Sequence, residues 1–347
     1  MLKNLRGQPT SHDIAEMVGV SQPTVSKALR GCRTINEDTR RRVIEAAKAL
    51  NYTVNRNAAR LRSKRTNTIA LVVICRPEDA RSDINPFYLS LLGCVATAAS
   101  DAGYDLLVSF QDETQDFYGQ YEDGKQADGL LVIGSAENKR GWDYFSKLHQ
   151  QGKAVICWGA PGDEMLCVTG DNRHGGTMAT QHMIDHGRTA IAFVGPTDGA
   201  QRQFGDRHAG YLDAMRAAGL GPLPAQLVAA PTREEQGYRT VAEMLDRGLS
   251  FDGIFAACDL IGIGALRCLN ERGVKVPEQV SVVGFDGIKA TKHCTPAMTT
   301  IEQDFRKAGQ MLVQRLLAMI DGAPFIDERV PCHMTVRQSS IPPIQRH

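Results

Sequence analysis

Between Ser21 and Lys27 the chain reads Ser-Gln-Pro-Thr-Val-Ser-Lys, a run dense in hydroxyl, carboxamide and ammonium groups. Ser21 can cap a short helix, and Pro23 falls in its first turn, where a missing N–H costs nothing. Val25 and Leu29, four residues apart, then face inward, leaving Gln22, Thr24, Ser26 and Lys27 to point outward. Side chains of these types bond to base edges and phosphates in the DNA major groove. Just upstream, Thr10 can cap a first helix whose apolar face is Ile14, Ala15 and Val18, and Gly19 allows a tight turn between the two. Two short helices of this kind make a helix-turn-helix. Any small helical hairpin would share the pattern, so the neighbouring chain has to decide.

The charge distribution favours the polyanion reading. The whole chain is balanced, with 40 Lys and Arg against 39 Asp and Glu. Residues 1–65, however, hold 14 basic and 5 acidic residues, leaving 26 against 34 for the rest. A basic terminal module on an acidic body expects a nucleic-acid partner for the small part alone. A solvated helix surface explains Arg40, Arg41 and Arg42 but not the concentration of excess charge in one module.

Asn36 can cap a third helix over Glu37 to Leu50, with Val43, Ile44, Ala47 and Leu50 at helical spacing over the reading pair. Residues 55–62 follow, carrying Arg56, Arg60 and Arg62 with Leu61 as the one large apolar side chain. Two helical turns are too short to be stable alone in water. Such a segment folds on DNA, with its arginines along the minor groove and its leucine wedged between base steps.

At 347 residues, two or three compact units are expected. The start has no apolar leader and no run approaches a membrane span, so a cytoplasmic, nucleoid-associated protein is expected. Nine cysteines without a Cys-x-x-Cys pair fit reduced core residues such as Cys75, Cys157 and Cys258. Catalytic signals are weak. His182 and His186 share a helix face, yet Asp185 is not the Glu of a zinc-protease motif and no third ligand is evident, so no metal is expected. Gly262-x-Gly264 lacks the third glycine of a dinucleotide loop, and no P-loop or Gly-x-Ser-x-Gly occurs. No cofactor and no enzymatic activity are expected.

From Thr68 apolar runs alternate with helix-length segments. Candidate strands are Ile69–Cys75, Tyr104–Phe110, Gly129–Ile133, Ala154–Trp158, Thr189–Gly195, Gln226–Ala230, Gly253–Ala257 and Val280–Phe285. Candidate helices include Phe87–Ala102, Gly175–His186, Arg207–Ala218, Arg233–Leu245, Leu260–Arg272 and Phe305–Ile320. This rhythm predicts parallel sheets covered on both faces, and the length fits two lobes with a ligand cleft between them. Trp158 ends an apolar strand and could floor that cleft or simply pack in the core.

Asp13-Ile-Ala-Glu, Gly19-Val-Ser, Thr24-Val-Ser, Asn51-Tyr and Asn55-Arg…Ala58…Leu61 resemble the N-terminal domain and hinge helix of the lactose-repressor/galactose-repressor family of bacterial transcription regulators. Asn85-Pro-Phe-Tyr88, Asp171-Asn172…Gly175-Gly176, Arg207…Gly210-Tyr211, Ser281-Val-Val-Gly-Phe-Asp286 and Thr299-Thr-Ile-Glu-Gln-Asp-Phe305 continue the resemblance over nearly the whole chain. It implies a small all-α helix-turn-helix domain followed by an α/β, periplasmic-binding-protein-like body of two doubly wound lobes. The implied division is 1–54 for the helix-turn-helix, 55–66 for hinge helix and linker, 67–168 with 302–328 for the N-lobe, and 169–301 with 329–347 for the C-lobe. By the same resemblance Gln22, Pro23 and Lys27 read bases, Thr24, Ser26 and Asn55 touch phosphate, and Leu61 intercalates. Thr10, Ser21, Arg56, Ala58 and Arg62 complete the expected operator contacts.

The resemblance also implies a homodimer on a pseudo-palindromic operator, a sugar effector and no membrane partner. A polyol needs bidentate hydrogen bonds to adjacent hydroxyls and an aromatic face against its C–H side. Arg207 and Asp286 are then the polar clamp, with Phe87, Trp158 and Phe305, the last at a crossover strand, as apolar walls. Asp259 is expected to face the cleft, although Cys258 replaces an Asn often found there. The expected function is a ligand-responsive repressor of sugar-utilisation genes. A purine or nucleoside effector is the alternative; a non-regulatory sugar-binding protein or enzyme would leave the basic module unexplained.

Overall fold

The computed structural model describes residues 9–29, 31–32, 34–52, 65–76, 84–159, 162, 165–197, 202–324 and 328–341. Two compact units emerge, Met1–Thr66 and Asn67–His347. In the first, Asp13 accepts from both the backbone N–H and the hydroxyl of Thr10, each at 2.7 Å, and so ties down the start of α1 (Ser11–Val18). Gly19, at φ +73°, ends that helix in the left-handed region, a conformation that favours glycine. α2 (Gln22–Leu29) and α3 (Glu37–Ala49) complete the trio, and the Arg42 guanidinium of α3 caps the Val18 carbonyl at 2.8 Å.

The core is Ile14, Ala15, Val18, Val25, Ala28, Val43, Ala46 and Ala47. Ile44, expected inside, is 38% exposed, and Ala46 is buried instead. At 100° per residue, positions 43, 46, 47 and 50 fall on one stripe, while 44 lies at its edge.

The second unit holds two sheets. The first lobe is built on β1 (Thr68–Ile74), β2 (Asp105–Gln111), β3 (Gly129–Gly134), β4 (Val155–Trp158), β5 (Cys167–Gly170) and β10 (Arg329–Val330), in the parallel order β10-β5-β4-β3-β1-β2. Alternation along the strands loads both faces. Ile69, Leu71 and Val73 pack with α4 (Pro86–Asp101) and α10 (Phe305–Ile320), whereas Ala70, Val72 and Ile74 pack with α5 (Lys139–Gln150). Between β2 and β3 no helix forms. Instead Phe117 and Tyr121 cover the α5 side, and the Gln111 carboxamide bonds both the Tyr118 N–H and its carbonyl at 2.9 Å.

The second lobe contains α6 (Asn172–Asp185), β6 (Ile191–Val194), α7 (Arg202–Ala217), α8 (Arg233–Asp246), β7 (Gly253–Ala256), α9 (Asp259–Glu271), β8 (Ser281–Asp286), β9 (Thr299–Gln303) and β11 (Cys332–Thr335). Its sheet order is β11-β9-β8-β7-β6, parallel except for the β11–β9 pair. The chain thus passes between lobes three times. The sequence reading placed these crossings after 168, 301 and 328; strands β5, β9 and β10 place them after Gly170, Gln303 and Val330.

Two expectations change. Gln226–Ala230 is not a strand: only Gln226 forms an isolated bridge, to Val194, and prolines at 222, 224 and 231 bracket the segment. Phe305 is the first residue of α10, after its N-cap Asp304, and does not lie on a crossover strand.

The glycines of Gly262-x-Gly264 have a packing role. A Cβ at Gly264 would meet the Glu234 carbonyl of α8, and one at Gly237 of α8 would meet the Ile261 carbonyl of α9. Gly176 and Gly210 make the same reciprocal approach between α6 and α7. Gly264→Ala is therefore expected to force these backbones apart at about 1–3 kcal/mol. Thermal unfolding should show a Tm lowered by roughly 3–10 °C, and an unchanged Tm would refute the close-packing account.

Candidate functional site

In the first unit, the face of α2 is less uniformly outward than its sequence predicts. Thr10, Ser21, Pro23 and Lys27 are exposed, whereas Gln22, Thr24 and Ser26 are half-buried. The Gln22 carboxamide turns back to Ser11 of α1 at 3.1 Å, because the turn at Gly19 brings the two helix starts together. Ser21 accepts the Thr24 N–H at 3.4 Å and shares a 2.8 Å hydrogen bond with its hydroxyl. Asn55, Arg56, Ala58, Leu61 and Arg62 lie outside the described residues.

In the second unit, a cavity of about 360 Å³ opens beyond the carboxyl ends of strands from both sheets. Trp158 closes β4, Gly134 closes β3 and Asp286 closes β8; Cys258 follows β7. The Asn85 side chain caps α4 by accepting the Phe87 N–H at 2.9 Å, and Pro86 starts that helix, which sets Phe87 and Tyr88 at the cavity wall. Phe87 and Trp158 lie 6.1 Å apart between ring centroids.

Arg207, projecting from α7, is the best-held polar group. Its Nε donates to Asn172 Oδ1 at 2.9 Å, Nη1 to the Ala257 carbonyl at 2.6 Å, and Nη2 pairs with Asp286 Oδ1 at 3.0 Å. The guanidinium also lies 3.7 Å from the centroid of the Phe285 ring. Three of five N–H donors are thereby fixed, leaving two for a molecule in the cavity. Asp286 takes a further hydrogen bond from Gln303 Nε2 at 2.9 Å. Its φ of +114° is a strained conformation for a residue with a Cβ, of the sort that concentrates at ligand sites. Burial raises its carboxyl pKa against the opposing pull of Arg207 and Gln303.

The structure brings Phe87, Trp158, Arg207 and Asp286 to one cavity. Two other expected ligands stand apart. Asp259 is fully buried and accepts from Ile288 N at 2.8 Å and Thr300 Oγ1 at 2.6 Å, stapling the end of β8 to β9. Burial and the nearby Asp286 hold its carboxyl well above the ordinary carboxylate pKa. The cavity is lined instead by its neighbours Cys258 and Leu260, and burial pushes the Cys258 thiol up to about 12. Phe305 sits behind Phe87 in edge contact at 5.2 Å and buttresses the wall.

Sequence reasoning missed Arg76, Tyr88, Gln203 and Arg233, all of which line the cavity. Tyr88 was within the Asn85–Tyr88 motif; its hydroxyl donates to the Gly134 carbonyl at 2.7 Å. Arg233 carried a signal of its own: it is the first residue of α8, where the helix dipole disfavours a cation. Among the described residues no three His, Cys, Asp or Glu side chains converge as metal ligands would, and no helix is long and apolar enough to cross a membrane.

Residues 10–55 match the lacI family of bacterial regulatory proteins, and residues 180–340 match a periplasmic-binding-protein-like domain. The HTH-type transcriptional regulator CelR of Thermobifida fusca is 30% identical over 96% of the chain and 99% of its own length. The HTH-type transcriptional repressor PurR of Photorhabdus laumondii is 29% identical over 90% of each. Among solved structures, a transcriptional regulator CelR–cellobiose complex matches with TM-score 0.65 at 29% identity, covering 95% of this chain and 99% of that one. A Lac repressor dimer bound to operator and the anti-inducer ONPF matches in fold, with TM-score 0.73 at 22% identity, over 96% of this chain and 100% of that one.

Proposed function

Because the chain belongs to the lacI family of bacterial regulatory proteins, we propose that it is a dimeric repressor whose hold on a palindromic operator is governed by a neutral disaccharide of the cellobiose class. The members of this family are transcription regulators, and the chain is one of them, not an enzyme. Family members bind operator DNA and small effectors. For this chain the reading helix is α2, acting with residues 55–62 in the cytoplasmic nucleoid.

One observation carries the choice of effector: a fixed Arg207–Asp286 pair shares a cavity of about 360 Å³ with Phe87 and Trp158. Arginine and carboxylate match vicinal hydroxyls in two directions, and the rings match the C–H face of a pyranose. The volume is at the small end for ligand sites, which suits two sugar rings better than a longer chain. The solved relative holding cellobiose supports the same class. A purine is the second reading, favoured by the aromatic wall and by the PurR relatives. Ligand closure of the lobes, passed to the hinge segments, needs a coupling of about 1–3 kcal/mol to change operator affinity roughly 5- to 150-fold.

Thermal shift of the full chain against cellobiose, other disaccharides, glucose, hypoxanthine and guanine tests this reading. Cellobiose at about 100 times its Kd should add close to 2.7 kcal/mol and raise the Tm. A shift with a purine and none with any disaccharide would replace the first reading by the second.

A further inference from the structure

The two lobes of the second unit are bridged by side chains other than the Arg207–Asp286 pair, which lies within the second lobe. Glu137, in the connector after β3, belongs to the first lobe, as does Arg76 after β1. Arg76 Nε meets Glu137 Oε2 at 2.5 Å. From the second lobe, Arg233 Nη2 reaches Glu137 Oε1 at 2.7 Å. In the opposite sense, Arg76 Nη1 donates across the cleft to the Pro231 carbonyl at 2.7 Å. Each lobe therefore gives one donor and one acceptor to the other. A further tether lies at the end of β4, where Gln203 Nε2 donates to the Gly159 carbonyl at 2.6 Å.

An exposed ion pair of this kind would hold little, because water and lost side-chain entropy offset the attraction. Here the Arg76 and Arg233 side chains are only 12% and 9% exposed, and Glu137 only 29%. Arg233 is fixed from behind as well: Nη1 donates to Gln236 Oε1 at 2.8 Å, and its guanidinium lies 5.4 Å from the centroid of the Phe204 ring. A carboxylate shared by two largely desolvated guanidinium groups is strong only while all three meet, and they meet only when the lobes are together.

We propose that Arg76, Glu137 and Arg233 form an interlobe clasp that favours the closed cleft, and so sets the fraction of the body already closed when an effector arrives. Where the effector reading above holds, this fraction scales the apparent effector affinity, since a ligand that binds one conformer is weakened in proportion to that conformer's rarity. Glu137 is then a positioning residue that acts on the effector through closure, whereas Arg233 also lines the cavity itself.

The test uses the full chain with no sugar present. Trp158 is 4% exposed on the cleft wall, and Trp142, the other tryptophan, is 3% exposed within the first lobe. Acrylamide quenching of tryptophan emission thus reports whether the cleft opens. Glu137→Gln keeps the shape and removes the charge; it should raise the quenching constant about two-fold or more, and Glu137→Lys further still. Arg233→Gln should match Glu137→Gln, with far-UV circular dichroism confirming that each variant is folded. If Glu137→Lys does not fold, the two glutamine variants decide the matter. Quenching in both that equals the wild type overturns the clasp. No sugar enters the measurement, so failure of cellobiose to bind would overturn the effector reading and leave this result standing.

Discussion

Arg207→Ala is expected to abolish the response to effector, weakening effector binding by at least about 100-fold, while the ligand-free variant still retards operator DNA. The loss has two parts. The guanidinium that would grip adjacent hydroxyls is gone, and Asp286 is left buried with Gln303 as its remaining hydrogen-bond partner among the described residues. Removing one member of a buried ion pair costs about 3–5 kcal/mol, so stability should fall along with affinity. Asp286→Asn keeps an acceptor toward Arg207 and should cost less on both measures. Calorimetric titration followed by gel retardation separates the two parts. An Arg207→Ala protein with a normal dose response would remove Arg207 from the clamp.

Leu61→Ala is expected to weaken operator binding by roughly 30- to 140-fold, the value of about 2–3 kcal/mol of apolar burial between base steps. The same change should reduce the bend in the duplex, because an apolar wedge is what unstacks a base step in the minor groove. Effector binding should be unaltered, since the cavity belongs to residues beyond Thr66. Circular permutation of the bend position in gel retardation measures the angle, and titration of effector measures the second arm. A wild-type bend angle in the variant would exclude the wedge role of Leu61.

Much of this protein was legible from its sequence because the relevant physics is local. Capping at Thr10 and Ser21, the left-handed turn at Gly19 and the stripe of Ile14, Ala15 and Val18 involve residues within a few positions of one another. Strand–helix alternation likewise follows from period and length. Arg207 and Asp286 were reached through motif resemblance, and the structure shows how they are fixed: one guanidinium is gripped from α6, β8 and the residue after β7.

What only the tertiary structure decided are choices between neighbours and meetings between distant residues. Cys258 and Asp259 are adjacent, yet one lines the cavity and the other is stapled under β9, because the start of α9 turns successive side chains to different sides. Ile44 and Ala46 exchange places for a related reason, since chemical type favours isoleucine inside but the helix phase favours alanine. Phe305 serves the wall from behind Phe87, a layer that no spacing reveals. Glu137 and Arg233 are 96 residues apart and meet only through the closing of two lobes. Periodicity sets which side of its own element a residue faces, whereas the partner across the gap is set by how the elements pack.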